Sequence, residues 1–235
     1  MTQDEIDKVL RRHVMWLENM DRGQRADLSE SKLSAMDLME ADLSKADLSG
    51  ANLIDTDLRG ARLVETDISW ADLRGAKLGR ANLKGADLSG GDLAEADLSE
   101  SDLAGADLSG ADLPATNLRG ANLEEAELSG ANLLTADLSD ANLSRARGTG
   151  ANFAGARLRM SDLRETDLSG ARLVGADLSG ANLNGAILKG ALLTYADLTG
   201  ADLSKADLTE ADISDANLPE GFRREEAEAH SEEGS

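Results

Sequence analysis

Leucine returns at every fifth residue from Leu28 to Leu218, with Ile68, Phe153 and Ile213 as apolar variants and Gly148 as the one vacancy. Two places before it stands a small residue. This is usually Ala, otherwise Ser, Thr or Gly as at Ser31, Thr56, Gly91, Ser101 and Thr166, and only Met36 is large. The other places are mostly polar, so residues 26–220 divide into 39 in-phase units of the form Ala-Asp/Asn-Leu-x-x. A period of five scatters leucines around an α-helix and does not match the alternation of a flat strand. A coiling chain accommodates it: each unit forms a short extended side and a tight turn, with the first and third places pointing inward. Gly is common at the fifth place, as in Gly50, Gly60, Gly110 and Gly170, where a positive φ costs glycine little. Hydrogen bonds between stacked coils then satisfy the backbone.

Residues 1–25 follow another rhythm. Thr2 with Glu5 forms a capping-box pattern, and Ile6, Val9, Leu10, His13, Leu17 and Met20 mark one helical face. The spacing predicts an amphipathic helix and linker that plug the first coil, where an open solenoid end would expose unpaired backbone and bare leucine. At the other end Pro219 stops the repeat, and residues 221–235 read as a charged, disordered tail with Phe222 as its only large apolar residue.

The run Ala41-Asp42-Leu43-Ser44-Lys45-Ala46-Asp47-Leu48-Ser49-Gly50 resembles the pentapeptide repeat family, and the resemblance extends over about four fifths of the chain. It implies an all-β fold, a right-handed quadrilateral β-helix (solenoid) with four units per coil. Nearly ten coils at the ~4.8 Å strand spacing make a rod roughly 47 Å long.

Composition narrows the chemistry. Aromatic residues are 2% of the chain and Cys is absent, which leaves a Leu/Ala core and no thiolate metal site. The two histidines, His13 and His230, fall on the predicted lid and the tail, without acid or base partners in view. A filled rod offers no cleft, so no enzyme and no cofactor are expected. The acidic, polar amino terminus and the lack of a long apolar run point to a soluble, cytoplasmic protein without membrane contact. A net charge of −21 opposes direct binding of nucleic acid or anionic lipid.

Taking four units per coil, residues 20 apart stack. One side then carries an acidic ladder, Asp27, Asp47, Asp67, Asp87, Asp107 and Glu127, beside a column of serines. The plain reading is repeat duplication with solvated carboxylates; the sharper one is imitation of DNA, because the resemblance extends to relatives that protect DNA gyrase from quinolones. Residues 26–140 hold 24 acids and 9 bases against 11 and 8 in residues 141–220, so imitation would reside in the first coils. The loops and phase breaks on which such relatives depend have no counterpart here. No acid occurs between Asp140 and Asp162, where Arg145, Arg147, Arg157 and Arg159 form a basic belt. A third candidate is apolar: Ile54, Pro114, Leu134 and Val174 at the fourth place of one side, with Leu192 and Tyr195 near its far end. Exposed apolar groups are the better pointer to a partner. The expectation is a non-enzymatic interaction or scaffold solenoid with a protein partner, the gyrase-binding DNA mimic being the alternative. A homodimer through the uncapped C-terminal coil would bury that end.

Overall fold

The computed structural model describes residues 1–222. Of the expected tail only Gly221 and Phe222 are described, Phe222 packing against the end of the core; the expectation for 223–235 lies outside the described residues. From Asp27 onward, second-place residues 20 apart form parallel bridges, beginning with Asp27–Asp47 and ending with Asp197–Asn217. Four five-residue units therefore complete one coil, and four faces run along the rod. The first face starts with the unit at Ala26, and the second, third and fourth with those at Ser31, Met36 and Ala41.

A fixed set of hydrogen bonds recurs in each unit. Around Leu88, the N–H of Leu88 donates to Asp107 O (2.7 Å), that of Gly90 to Ser109 O (3.0 Å), and that of Asp87 to Thr66 O (3.0 Å). The corner is closed locally by Gly91 N–H donating to Leu88 O at 3.1 Å. The second place favours Asp and Asn for a related reason. The side-chain oxygen accepts the fourth-place N–H of its own unit, as in Ser49 N–H to Asp47 Oδ1 (3.0 Å) and Ser144 N–H to Asn142 Oδ1 (3.0 Å), an Asx turn that directs the chain around the bend. Every fifth place from Glu30 to Asp215 then has φ between 54° and 70°, whether or not it is glycine.

Inside, the third-place leucines and first-place alanines are almost fully buried along the axis. Polar first places are satisfied within it. Thr56, Thr66, Thr116 and Thr166 each donate Oγ1–H across to a carbonyl of the preceding coil at 2.8 Å, that of Leu33, Leu43, Leu93 and Leu143 respectively. At Gly148 the missing side chain is offset: a Cβ there would lie 3.5 Å from Phe153 Cε2 and 3.0 Å from Leu168 Cδ2. The Phe153 ring, on the neighbouring face of the same coil, fills the space.

The helix α1 spans Gln3–Leu17, opened by the Thr2/Glu5 capping box. It lies against the first coil with Ile6 fully buried and Val9 and Leu10 packed on the core. Met20, which the sequence pattern assigns to the apolar face, lies beyond the helix end and is 54% exposed. The physical cause is the sharp reversal after Leu17, where Asn19 and Arg22 take positive φ. Gly23 then meets the helix backbone so closely that a Cβ would sit 2.4 Å from Trp16 N.

The helix does more than cover leucine. The Gln3 amide donates to Asp37 O (2.8 Å) and accepts from Asp37 N–H (3.3 Å). His13 accepts the Ala26 N–H at Nδ1 (3.0 Å) and faces Ser44 O through Nε2 (3.0 Å). These are edge groups of the first coil that have no coil above them to bond.

Candidate functional site

The acidic ladder, the basic belt and the apolar candidates each have a definite place on the rod. On the first face Asp27, Asp47, Asp67, Asp87, Asp107 and Glu127 stand in one bridged column that continues to Arg147. Each carboxylate is occupied on one side by its own turn. The hydroxyls of Ser29, Ser49, Ser69 and Ser89 donate into the Asp oxygens at 2.6–2.7 Å, while Asp107 and Glu127 accept the N–H of Ser109 and Ser129. The Ser29 hydroxyl, and after it the Ser29 N–H, holds the Asp27 carboxyl below the usual carboxylate range. Within the ladder Glu127 meets a cation, Arg147 at 3.7 Å.

The belt arginines are separated rather than gathered. Arg147 lies on the first face, Arg157 and Arg159 on the third, and Arg145 at a corner of the fourth. Each has a carboxylate within reach on an adjoining coil. Arg145 pairs with Glu124 and, at 3.2 Å, with Glu125; Arg157 lies 3.8 Å from Asp137 and Arg159 lies 3.7 Å from Asp177. Exposed pairs of this kind contribute little to stability, but they interleave charge between coils that would otherwise repel.

The apolar candidates all fall on the second face. Ile54 stands apart, because Arg74 occupies the same column on the next coil. Beyond it the fourth places read Ala94, Pro114, Leu134, Ala154, Val174 and Thr194, and the corner beside them reads Ala115, Thr135, Gly155, Gly175 and Tyr195. From Pro114 to Tyr195 these two columns carry no charge over five successive coils. That makes a strip roughly 19 Å long at the ~4.8 Å coil spacing. Leu134 is 41% exposed, Leu192 37% and Tyr195 68%, whereas Pro114 and Val174 are half-buried. Sequence reasoning misses Ala115, Ala154, Gly155 and Gly175, since small residues at outer places give no signal until the coils are stacked.

Other large exposed side chains stand alone. Trp70, 74% exposed, lies flat over Gly90, where a Cβ would meet the indole at 2.7 Å. Met160 lies in the same way over Gly180. Among the described residues no group of His, Cys, Asp and Glu is arranged to hold a metal ion, and no helix is long and apolar enough to cross a membrane.

The repeats match the family model described as pentapeptide repeats, in eight copies that fall within residues 24–63, 41–80, 81–120, 116–147, 149–185 and 186–220. None of the curated proteins matches the chain. Among solved structures, HetL of the cyanobacterium Nostoc sp. strain PCC 7120 is a pentapeptide repeat protein involved in heterocyst differentiation regulation. It is 37% identical, with a TM-score of 0.58, covering 89% of this chain and 96% of its own. Full-length QnrB1, a plasmid-mediated fluoroquinolone resistance protein, is 20% identical with a TM-score of 0.51, covering 89% of this chain and 98% of its own. At that identity QnrB1 speaks to the fold alone. With the family match and the HetL likeness, the solenoid is a right-handed β-helix.

Proposed function

The chain belongs to the pentapeptide repeat family, and from that premise we propose that it is a non-enzymatic scaffold, a four-sided rod that binds a protein partner through the uncharged strip of its second face. The observation that carries this reading is the strip itself. On a chain of net charge −21, five successive coils present Pro114, Leu134, Val174 and Tyr195 with no charge in either column. Apolar surface free of like-charge repulsion is where a protein partner gains most by excluding water. The interior supports a binder over an enzyme, because buried third-place leucines and first-place alanines occupy the axis along most of the rod. HetL, a regulatory protein of the same family, is in keeping with a role exercised by contact.

The test is affinity capture from the native host with Leu134→Asp and Tyr195→Asp variants beside the unaltered protein. Loss of the same captured proteins from both variants, with far-UV circular dichroism unchanged, supports the strip; identical capture discards it.

A second reading rests on the first face, where no ion pair engages Asp27, Asp47, Asp67, Asp87 or Asp107 among the described residues. Such a column suits a cationic surface and, by imitating duplex DNA, a topoisomerase. Unchanged gyrase supercoiling and quinolone sensitivity at high protein excess would retire it. We assign the belt of Arg145, Arg147, Arg157 and Arg159 to charge interleaving instead of docking. The C-terminal coil is the expected site for a second copy, since Leu203, Ile213 and Leu218 are only partly buried there. Sedimentation equilibrium that reports a monomer at high concentration excludes it.

A further inference from the structure

His13 is a fully buried ionisable side chain on α1, and its hydrogen-bond partners fix its protonation. A backbone N–H can only donate, so the bond from Ala26 N–H at 3.0 Å makes Nδ1 an acceptor. The ring proton therefore sits on Nε2 and donates to Ser44 O at 3.0 Å. One neutral imidazole thereby joins the helix to two strands of rod backbone, the start of the first coil and its fourth face. The ring also stacks on Trp16, with centroids 5.6 Å apart and planes at 16°. A second ring proton has no place. It would have to point at the Ala26 N–H, turning an acceptor–donor bond into two opposed donors inside a contact that excludes water.

We propose that α1 is an acid-released lid: protonation of His13 detaches the helix from the first coil and uncovers the coil's backbone edge and leucines. The other lid contacts on the rod are few. Gln3 bonds only Asp37 on the rod, and Ile6, Val9 and Leu10 form the single apolar stripe. The reversal between helix and rod is itself bonded back to the helix, with Gln24 N–H donating to Arg12 O at 2.9 Å, so helix and reversal leave the coil as one piece.

The charged groups facing His13 from the rod side are Asp42 and Arg25. Asp42 favours the imidazolium but is shared with Arg62 at 3.3 Å, and Arg25, whose Nε donates to Lys45 O at 2.5 Å, opposes it. Burial is the largest influence on the ring and holds its pKa below the ordinary histidine value. The sign follows: the open state binds the proton more readily, so closure is complete above about pH 6.5 and weakens as pH falls below it, by up to about tenfold per unit.

The experiment uses the full chain carrying Trp70→Phe, which leaves Trp16 as the sole indole, titrated from about pH 7.5 to about pH 5.0, above the range in which ordinary carboxylates protonate. The expected result is a one-proton change in Trp16 fluorescence, with far-UV circular dichroism of the rod constant and amide protection at Ala26 and Asp37, the exchange rate taken against the intrinsic base-catalysed rate at each pH, falling by up to about tenfold per pH unit below about pH 6.5. His13→Gln keeps an acceptor and a donor but cannot titrate, and is expected to abolish the change. A flat titration in the Trp70→Phe protein, an equal one in His13→Gln, or Ala26 exchange that ignores the lid would each overturn the proposal. Should His13→Gln not fold, the exchange profile of Ala26 in the unaltered chain decides the matter alone.

Discussion

The pairing of Gly148 with Phe153 makes a quantitative claim about how the axis is filled. Placing the usual leucine at Gly148 starts from a Cβ already 3.0 Å from Leu168 Cδ2 and 3.5 Å from Phe153 Cε2. Three further carbons must then enter the volume of the Phe153 ring. Overpacking of this kind costs about 1–3 kcal/mol. Phe153→Leu alone removes ring carbons beside a position with no side chain and leaves a void, costing about 1–3 kcal/mol on the scale of large-to-small core changes. The two together recreate the Leu–Leu arrangement of the other coils, and the double variant is expected within about 1 kcal/mol of the original. The coupling, the sum of the two single losses less that of the double variant, is therefore at least about 1 kcal/mol and about 4 kcal/mol at the middle of these ranges, above the few tenths seen for independent sites. Urea unfolding followed by circular dichroism on the four proteins measures it. A double variant as unstable as the two single changes summed would show that ring and vacancy are unrelated.

Gly110 has φ of 63° and open space, with no atom within 4 Å, where a Cβ would stand, so Gly110→Ala isolates backbone strain and is expected to lower stability by about 1–2 kcal/mol in urea melts. Thr116→Val removes the Thr116 hydroxyl bond to Leu93 O at 2.8 Å; because Ala96 N–H also donates to that carbonyl, the loss should stay near about 0.5–1.5 kcal/mol, read from the same melts. Asp27, Asp197 and Asp202 are held below the ordinary carboxylate range, first by the hydroxyls of Ser29, Thr199 and Ser204 and then by their backbone N–H groups. A depressed folded pKa gives stability that is whole above the unfolded value near about 4 and lost as pH falls through the folded one. The urea midpoint of Asp197→Asn should therefore approach that of the unaltered protein below about pH 4 while lying under it at about pH 7.

The period of five and its inward places are legible in the sequence, because Leu and Ala recur there without a slip and no helix or flat strand accommodates that spacing. The helix start is legible as well, since Thr2 and Glu5 are three residues apart and bond locally. What α1 does at the rod end is not. Gln3 meets Asp37 and His13 meets Ser44 across separations of 34 and 31 residues, and neither residue type has a periodic counterpart that would mark it. In sequence the second-place Asp reads as a solvated group; in the fold its own oxygen accepts the turn N–H, a role that Asn also fills. The apolar candidates show themselves only one by one along the chain, and their joining depends on the small residues between them.

The bends at the fifth place adopt one backbone shape whether they carry glycine, glutamate or an aromatic ring, and Trp70, Met160 and Tyr195 all stand there. Shape and decoration are thus separable in this molecule. The bends act as sockets on a fixed chassis, so fittings can be exchanged at a few sockets while the spine stays as it was.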